Sequence, residues 1–123
     1  VSFTLDVEQR DAGTAIVLAG ELDMASAPRL QAVINSLIGQ GEPRILVDLY
    51  QLAFCDSAGL NTFVQGDKRC SARGGWLRVT RAQGHVARVL ELSGVGEVLG
   101  YRRDRVWSDS AEGADTGERA PND

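Results

Sequence analysis

The sequence predicts a single α/β domain: a mixed sheet of four or five strands, opened by an N-terminal antiparallel hairpin, with helices packed against it. Three observations predict it. Residues 2–8 alternate strictly, with Phe3, Leu5 and Val7 on one face and Ser2, Thr4, Asp6 and Glu8 on the other, as a half-buried strand does. Further along, two apolar strands are each reached through a helical repeat, which implies parallel pairing with right-handed crossovers. Finally, 123 residues suffice for one domain that buries about two-thirds of its unfolded surface without covalent staples.

Taken in order, Arg10-Asp11-Ala12-Gly13 supplies turn chemistry, and residues 15–19 form a second strand that ends at Gly20 and closes the hairpin. After Gly20-Glu21-Leu22-Asp23, Ser26-Ala27-Pro28 suits a helix start, because proline is tolerated in a first turn. Leu30, Val33, Ile34, Leu37 and Ile38 then make one apolar stripe, and Gly39, Gly41 and Pro43 stop the helix. Residues 45–49 are the most continuously apolar run, as a sheet centre covered on both faces requires. Asp48 interrupts that run and is expected near a functional edge. A second helix starts at Ser57, buries Leu60, Phe63, Val64 and Cys70, shows Asn61, Gln65, Lys68 and Arg69 to water, and closes at Gly74-Gly75. Residues 76–80 are a fourth strand. Val86, Val89 and Leu90 mark a short third helix, with Ser93-Gly94 as its C-cap.

Charge is unevenly placed. Residues 108–123 hold five acids against Arg119 and no large apolar side chain, so they account for the whole net charge of −4 and are expected to be a disordered acidic tail beyond a domain of residues 1–107. The remainder balances, twelve basic side chains against twelve acidic, which argues against nucleic acid as the main partner. Cys55 and Cys70 read as reduced packing thiols rather than a disulfide framework, and with His85 the sole histidine no metal site is expected. No apolar run approaches the roughly 20 residues of a membrane span and no signal sequence opens the chain, so the expected location is the cytoplasm, away from membranes. A chain that opens at Val1 is expected to have lost its initiator or a tag.

Catalysis and cofactors are not expected. Gly94-Val95-Gly96 with Gly100 lacks the preceding strand, the glycine spacing and the Lys-Ser/Thr of a phosphate loop. A hydrolase elbow requires glycine two residues before its serine, where this chain has Cys55. His85 at a helix start is structural, and Asp23 with Asp56 makes a weak acid–base pair.

Ser57 itself admits two readings. In one, Asp56 or Ser57 caps the helix by accepting a hydrogen bond from an N–H one turn in, worth about 1 kcal/mol. In the other, the Ser57 hydroxyl stands on a first turn whose unpaired N–H groups face outward and accepts a phosphoryl group, which the helix dipole tolerates and Asp56 opposes. The partner-side face is equally open to two readings. Asn61, Gln65 and Lys68 are a solvated surface, or they rim a docking site beside Ser57, since residues three and four apart share a helix face.

The run Leu49-Tyr50-Gln51-Leu52-Ala53-Phe54-Cys55-Asp56-Ser57-Ala58-Gly59-Leu60, with Gly20-Glu21-Leu22-Asp23 upstream, resembles the bacterial anti-sigma-factor antagonists of the STAS (sulfate transporter and anti-sigma factor antagonist) domain family. The resemblance spans residues 3–99 and implies a STAS-like single domain. It implies a protein whose unphosphorylated form binds an anti-sigma factor serine kinase and frees a sigma factor, and which is switched off when that kinase uses ATP to phosphorylate Ser57; a phosphatase would reverse the step. Carried over by position, Ser57 is the phosphoacceptor and Asp56 sets its local charge. Gly20, Glu21 and Asp23 form a neighbouring loop on the same surface, Gly59 lets the partner approach closely, and Ala58 replaces the second serine of many relatives. Asn61 and Gln65 complete the expected partner surface, and a monomer is expected. Relatives carry a further C-terminal helix, for which residues 101–107 show little apolar periodicity. A scaffold or ligand-sensing subunit of a larger signalling complex is the alternative on the same fold.

Overall fold

The computed structural model describes residues 2–101, so the expected domain limit at Trp107, the C-terminal helix sought in residues 102–107 and the acidic segment 108–123 lie outside the described residues. Eight elements follow one another: β1 (Thr4–Arg10), β2 (Gly13–Leu22), α1 (Ala27–Gly39), β3 (Arg44–Cys55), α2 (Ser57–Ala72), β4 (Trp76–Thr80), α3 (Gly84–Ser93) and the single turn α4 (Val95–Val98). The strands form one four-stranded sheet in the order β1-β2-β3-β4. β1 and β2 pair antiparallel, from Thr4↔Ala19 to Arg10↔Gly13, whereas β2–β3 and β3–β4 are parallel. The mixed sheet, the opening hairpin and the packed helices are those the sequence predicts.

Two strands run further than expected. β3 continues past Leu49 to Cys55, and β2 past Ala19 to Leu22, because each supplies the other's backbone partners there: Gly20↔Leu52, Glu21↔Phe54 and Leu22↔Cys55. At two register shifts β3 inserts one extra residue, so its buried apolar positions drift from Ile45, Val47 and Leu49 to Leu52 and Cys55. That drift erases the period-two signal. Gly20 and Glu21 therefore lie on a strand, not in the loop expected of them, and only Asp23 stands beyond its end.

α1 and α2 share one face of the sheet. Leu30, Ile34, Leu37 and Ile38 of α1 are buried as the stripe requires, and α2 buries Phe63, Thr62 and Cys70 while Leu60 and Val64 are only half-buried. Gly66 lets the two helices and β4 close up, since a Cβ there would stand 2.9 Å from Leu77 and 3.2 Å from Ile34. Asp67 pins α2 to β4 by accepting from the Leu77 N–H at 3.0 Å and pairing with Arg78 at 3.4 Å.

β4 stops at Thr80, opposite Asp48, and α3 packs against the part of β3 that overhangs it. The His85 ring of α3 stacks on Phe54 with centroids 5.0 Å apart. Asp48 is thus in mid-strand and 6% exposed, not at the edge expected for it. Its carboxylate is consumed locally, taking Arg81 at 2.7 and 3.2 Å and the Tyr50 N–H at 3.0 Å. Arg81 itself sits in a left-handed backbone conformation (φ 60°), and the pairing raises the pKa of its guanidinium, chiefly through the Asp48 hydrogen bond. At the end of α3, Gly94 takes the left-handed cap expected from Ser93-Gly94 (φ 77°). No helix among the described residues is long and apolar enough to cross a membrane.

Both cysteines are free and buried. Burial, reinforced by Asp56, pushes the Cys55 thiol up to about 12, and burial with Asp67 and Glu42 pushes Cys70 to about 11. The unfolded chain therefore releases these protons first, and stability should fall as pH rises from about 9 toward 12. Denaturant melts at stepped alkaline pH measure it, and the slope should flatten in a Cys55→Ala, Cys70→Ala protein. Gly20 sits at φ 95° with its α-carbon facing the Ser2 carbonyl, so Gly20→Ala should destabilise the domain by about 1–3 kcal/mol in equilibrium unfolding.

Candidate functional site

The site begins where β2 and β3 end together. Leu22 and Cys55 are partners in the ladder, and the next amide on β3, that of Asp56, donates to the Leu22 carbonyl at 3.1 Å. This bond brings the β2 and β3 exits to one corner. Asp56 is still extended (φ −102°, ψ −172°), and its carboxylate turns back to accept from the Gly59 N–H at 3.1 Å. It is the N-cap of α2. Of the two residues the sequence offered for that role, Asp56 fills it.

Capping by Asp56 leaves the Ser57 hydroxyl without internal duty. Ser57 is the first residue of α2, exposed, and its side chain makes no hydrogen bond among the described residues. Ala58 beside it is half-buried, and Asn61 is exposed and Gln65 half-buried at one and two turns along the same stripe, with exposed Lys68 beyond. The structure thus brings Ser57, Ala58, Asn61 and Gln65 onto one accessible face.

Gly59 behaves differently from the expectation placed on it. It is buried, and a Cβ there would stand 2.8 Å from both Cys55 Sγ and Leu22. Its missing side chain lets the helix settle on the sheet; it does not open a way for a partner, because it faces inward. Gly20 likewise serves the crossing of Ser2 over β2.

The remaining turn, from Glu21 to Ala27, is knitted by its own polar groups. Asp23 Oδ1 accepts from the Ala25 and Ser26 N–H groups at 3.0 and 3.1 Å, and the Asp23 carbonyl accepts from the Ala27 N–H at 2.8 Å. The buried Ser26 hydroxyl donates to the Glu21 carbonyl at 2.8 Å and accepts from the Asp23 N–H at 2.9 Å. So Asp23, expected to face a partner, spends its carboxylate inside the turn, and Ser26 starts α1 by bracing that turn rather than by capping the helix with its side chain. What the turn does present is Met24, 79% exposed. Sequence reading passed over Met24, because a lone methionine outside any periodic run carries no signal until the turn is seen.

Among the described residues no cluster of His, Cys, Asp or Glu could hold a metal ion. An open hollow of about 360 Å³, lined by Asn35, Ile38, Gly39, Arg69, Ala72 and Arg73, lies at the C-terminal ends of α1 and α2, at the opposite end of α2 from Ser57.

Comparison with known proteins places these features in context. The family model described as "Mlab, STAS domain" matches residues 5–100. The anti-sigma-B factor antagonist of Bacillus subtilis (strain 168) is 27% identical over 99 residues, covering 80% of this chain and 90% of that protein. The crystal structure of an anti-sigma factor antagonist from Mycobacterium paratuberculosis superposes with a TM-score of 0.75 at 26% identity, over 92% of this chain and 93% of the other. The Bacillus cell fate determinant SpoIIAA, solved in its phosphorylated form, gives 0.61 at 27% identity over 78% and 86%.

The cap and the hydroxyl should separate cleanly in stability measurements. Asp56→Ala should cost about 1 kcal/mol in urea unfolding, through the lost Gly59 bond. Ser57→Ala, which removes no internal bond, should stay within about 0.5 kcal/mol of wild type.

Proposed function

This chain belongs to the STAS domain family, and from that premise we propose that it is an anti-sigma-factor antagonist governed by phosphorylation of Ser57. Unphosphorylated, it docks through the corner formed by the β2 and β3 exits onto an anti-sigma factor that is a serine kinase, and a sigma factor is released. Phosphorylation of Ser57 by that kinase ends the contact, and a phosphatase restores it. The protein acts by binding and needs no cofactor of its own; it works in the cytoplasm, as a monomer.

The observation that carries this reading is the free, exposed Ser57 hydroxyl, standing beside an Asp56 that already serves the helix. A kinase can reach this oxygen without unfolding anything. Support also comes from the names of the relatives, anti-sigma factor antagonists in Bacillus subtilis and Mycobacterium paratuberculosis, and from the existence of SpoIIAA in a phosphorylated form.

The switch follows from solvation. A phosphoserine carries roughly two negative charges and strong acceptors. Asp56 stands next to it, and Glu21 and Asp23 lie at the end of the neighbouring strand, so the corner is already acidic. A phosphate added there carries its own hydration shell. A partner docking there must strip that water from the dianion. A penalty of only about 3–4 kcal/mol weakens binding some hundredfold or more. Ser57, Ala58, Asn61 and Gln65, with Glu21 from β2, form the docking face, while Gly20, Asp23, Asp56 and Gly59 hold its shape.

Incubation with the cognate kinase and ATP should add one phosphate, read by intact mass and peptide mapping, and Ser57→Ala should take up none. Label that persists in the alanine protein rejects the site. Ser57→Asp should bind the kinase at least about tenfold more weakly than wild type in calorimetry, and equal affinity would count against the charge switch.

A further inference from the structure

Of the residues that reach the docking corner, the turn between β2 and α1 offers an unusual combination. Its polar groups are turned inward: Asp23 Oδ1 holds two backbone amides, and the Ser26 hydroxyl is buried between the Glu21 carbonyl and the Asp23 amide. Its outward face is apolar, with Met24 79% exposed and Ala25 exposed beside it. The turn is also fixed in place relative to Ser57, because the Asp56 amide is bonded to Leu22, two residues before Met24. We propose that Met24 is the apolar anchor of the partner contact, inserted into a hydrophobic socket on the kinase that docks over Ser57.

The inference rests on the reading of this corner as a kinase-docking face, and it specifies how that face binds. A single exposed apolar residue is ordinary on a protein surface. Met24 differs in being held by a braced turn, so a partner meets it with the backbone already ordered and little entropy left to lose. Methionine adapts its shape to a socket at small conformational cost, and desolvated apolar side chains near the centre of an interface dominate its affinity.

The experiment measures the affinity of the full chain for the purified cognate anti-sigma factor kinase, with thermal melts of every variant. Met24→Ala should bind at least about tenfold more weakly with an unchanged melting temperature, and Met24→Leu should recover most of the loss. Leu92→Ala is the control, because Leu92 is equally exposed (80%) but lies two turns down α3 from His85; its affinity should not move. Met24→Ala binding within about twofold of wild type, or a loss of the same size in Leu92→Ala, overturns the anchor while leaving the Ser57 switch standing. If wild-type protein neither binds a kinase nor gains phosphate on Ser57, the proposed function falls and the anchor with it.

Discussion

The bond from the Gly59 amide to the Asp56 carboxylate is the interaction on which the corner depends. It fixes where the extended backbone of β3 becomes helical, and it does so with a residue whose own amide is tied to β2 through Leu22. Strand pairing, helix start and the position of Ser57 are thereby set by one residue. The bond forms only because α2 can approach closely. With any side chain at position 59, Leu22 and Cys55 would have to give way, and the first turn would lift off the sheet.

Around that bond the polar groups divide their labour. Asp23, Ser26, Asp48 and Asp67 each spend their oxygens on backbone amides or on an arginine within the domain. Such bonds contribute about 1 kcal/mol each, but leaving any of these groups buried and unpaired would cost more. The fold therefore holds its carboxylates tightly. The hydroxyl at position 57 stands outside this set: it is exposed and makes no hydrogen bond among the described residues, so the scaffold does not rely on it.

Much of this was legible in the sequence, for reasons that can be traced. The alternation of residues 2–8 holds for Phe3 and Leu5, which are half-buried, but fails at Val7, which is 45% exposed where the edge strand runs past its cover; in the stripe from Leu30 to Ile38 every residue is buried as expected except Val33, which is half-buried. Gly94 was legible because a left-handed cap needs glycine. The overhang of β2 and β3 was not, because two bulges break the period that strand recognition relies on. Asp48 looked functional as a charge in an apolar run; its partner, Arg81, comes from the far end of β4, and no local pattern links them. Gly59 was singled out for the right reason, close approach, but the direction of its missing side chain is a tertiary property. Met24 and the one-turn α4 gave no periodic signal at all.

The crossing at Gly20 has a practical corollary. Ser2 passes directly over this glycine, so the first described residues emerge at the end of the sheet that carries the β2 and β3 exits. An affinity handle or fluorescent protein fused ahead of Ser2 would hang over the corner proposed above as the docking face, and would weaken association there by obstruction alone. Immobilisation from the opposite pole, near the hollow between Asn35 and Arg73, leaves that approach clear.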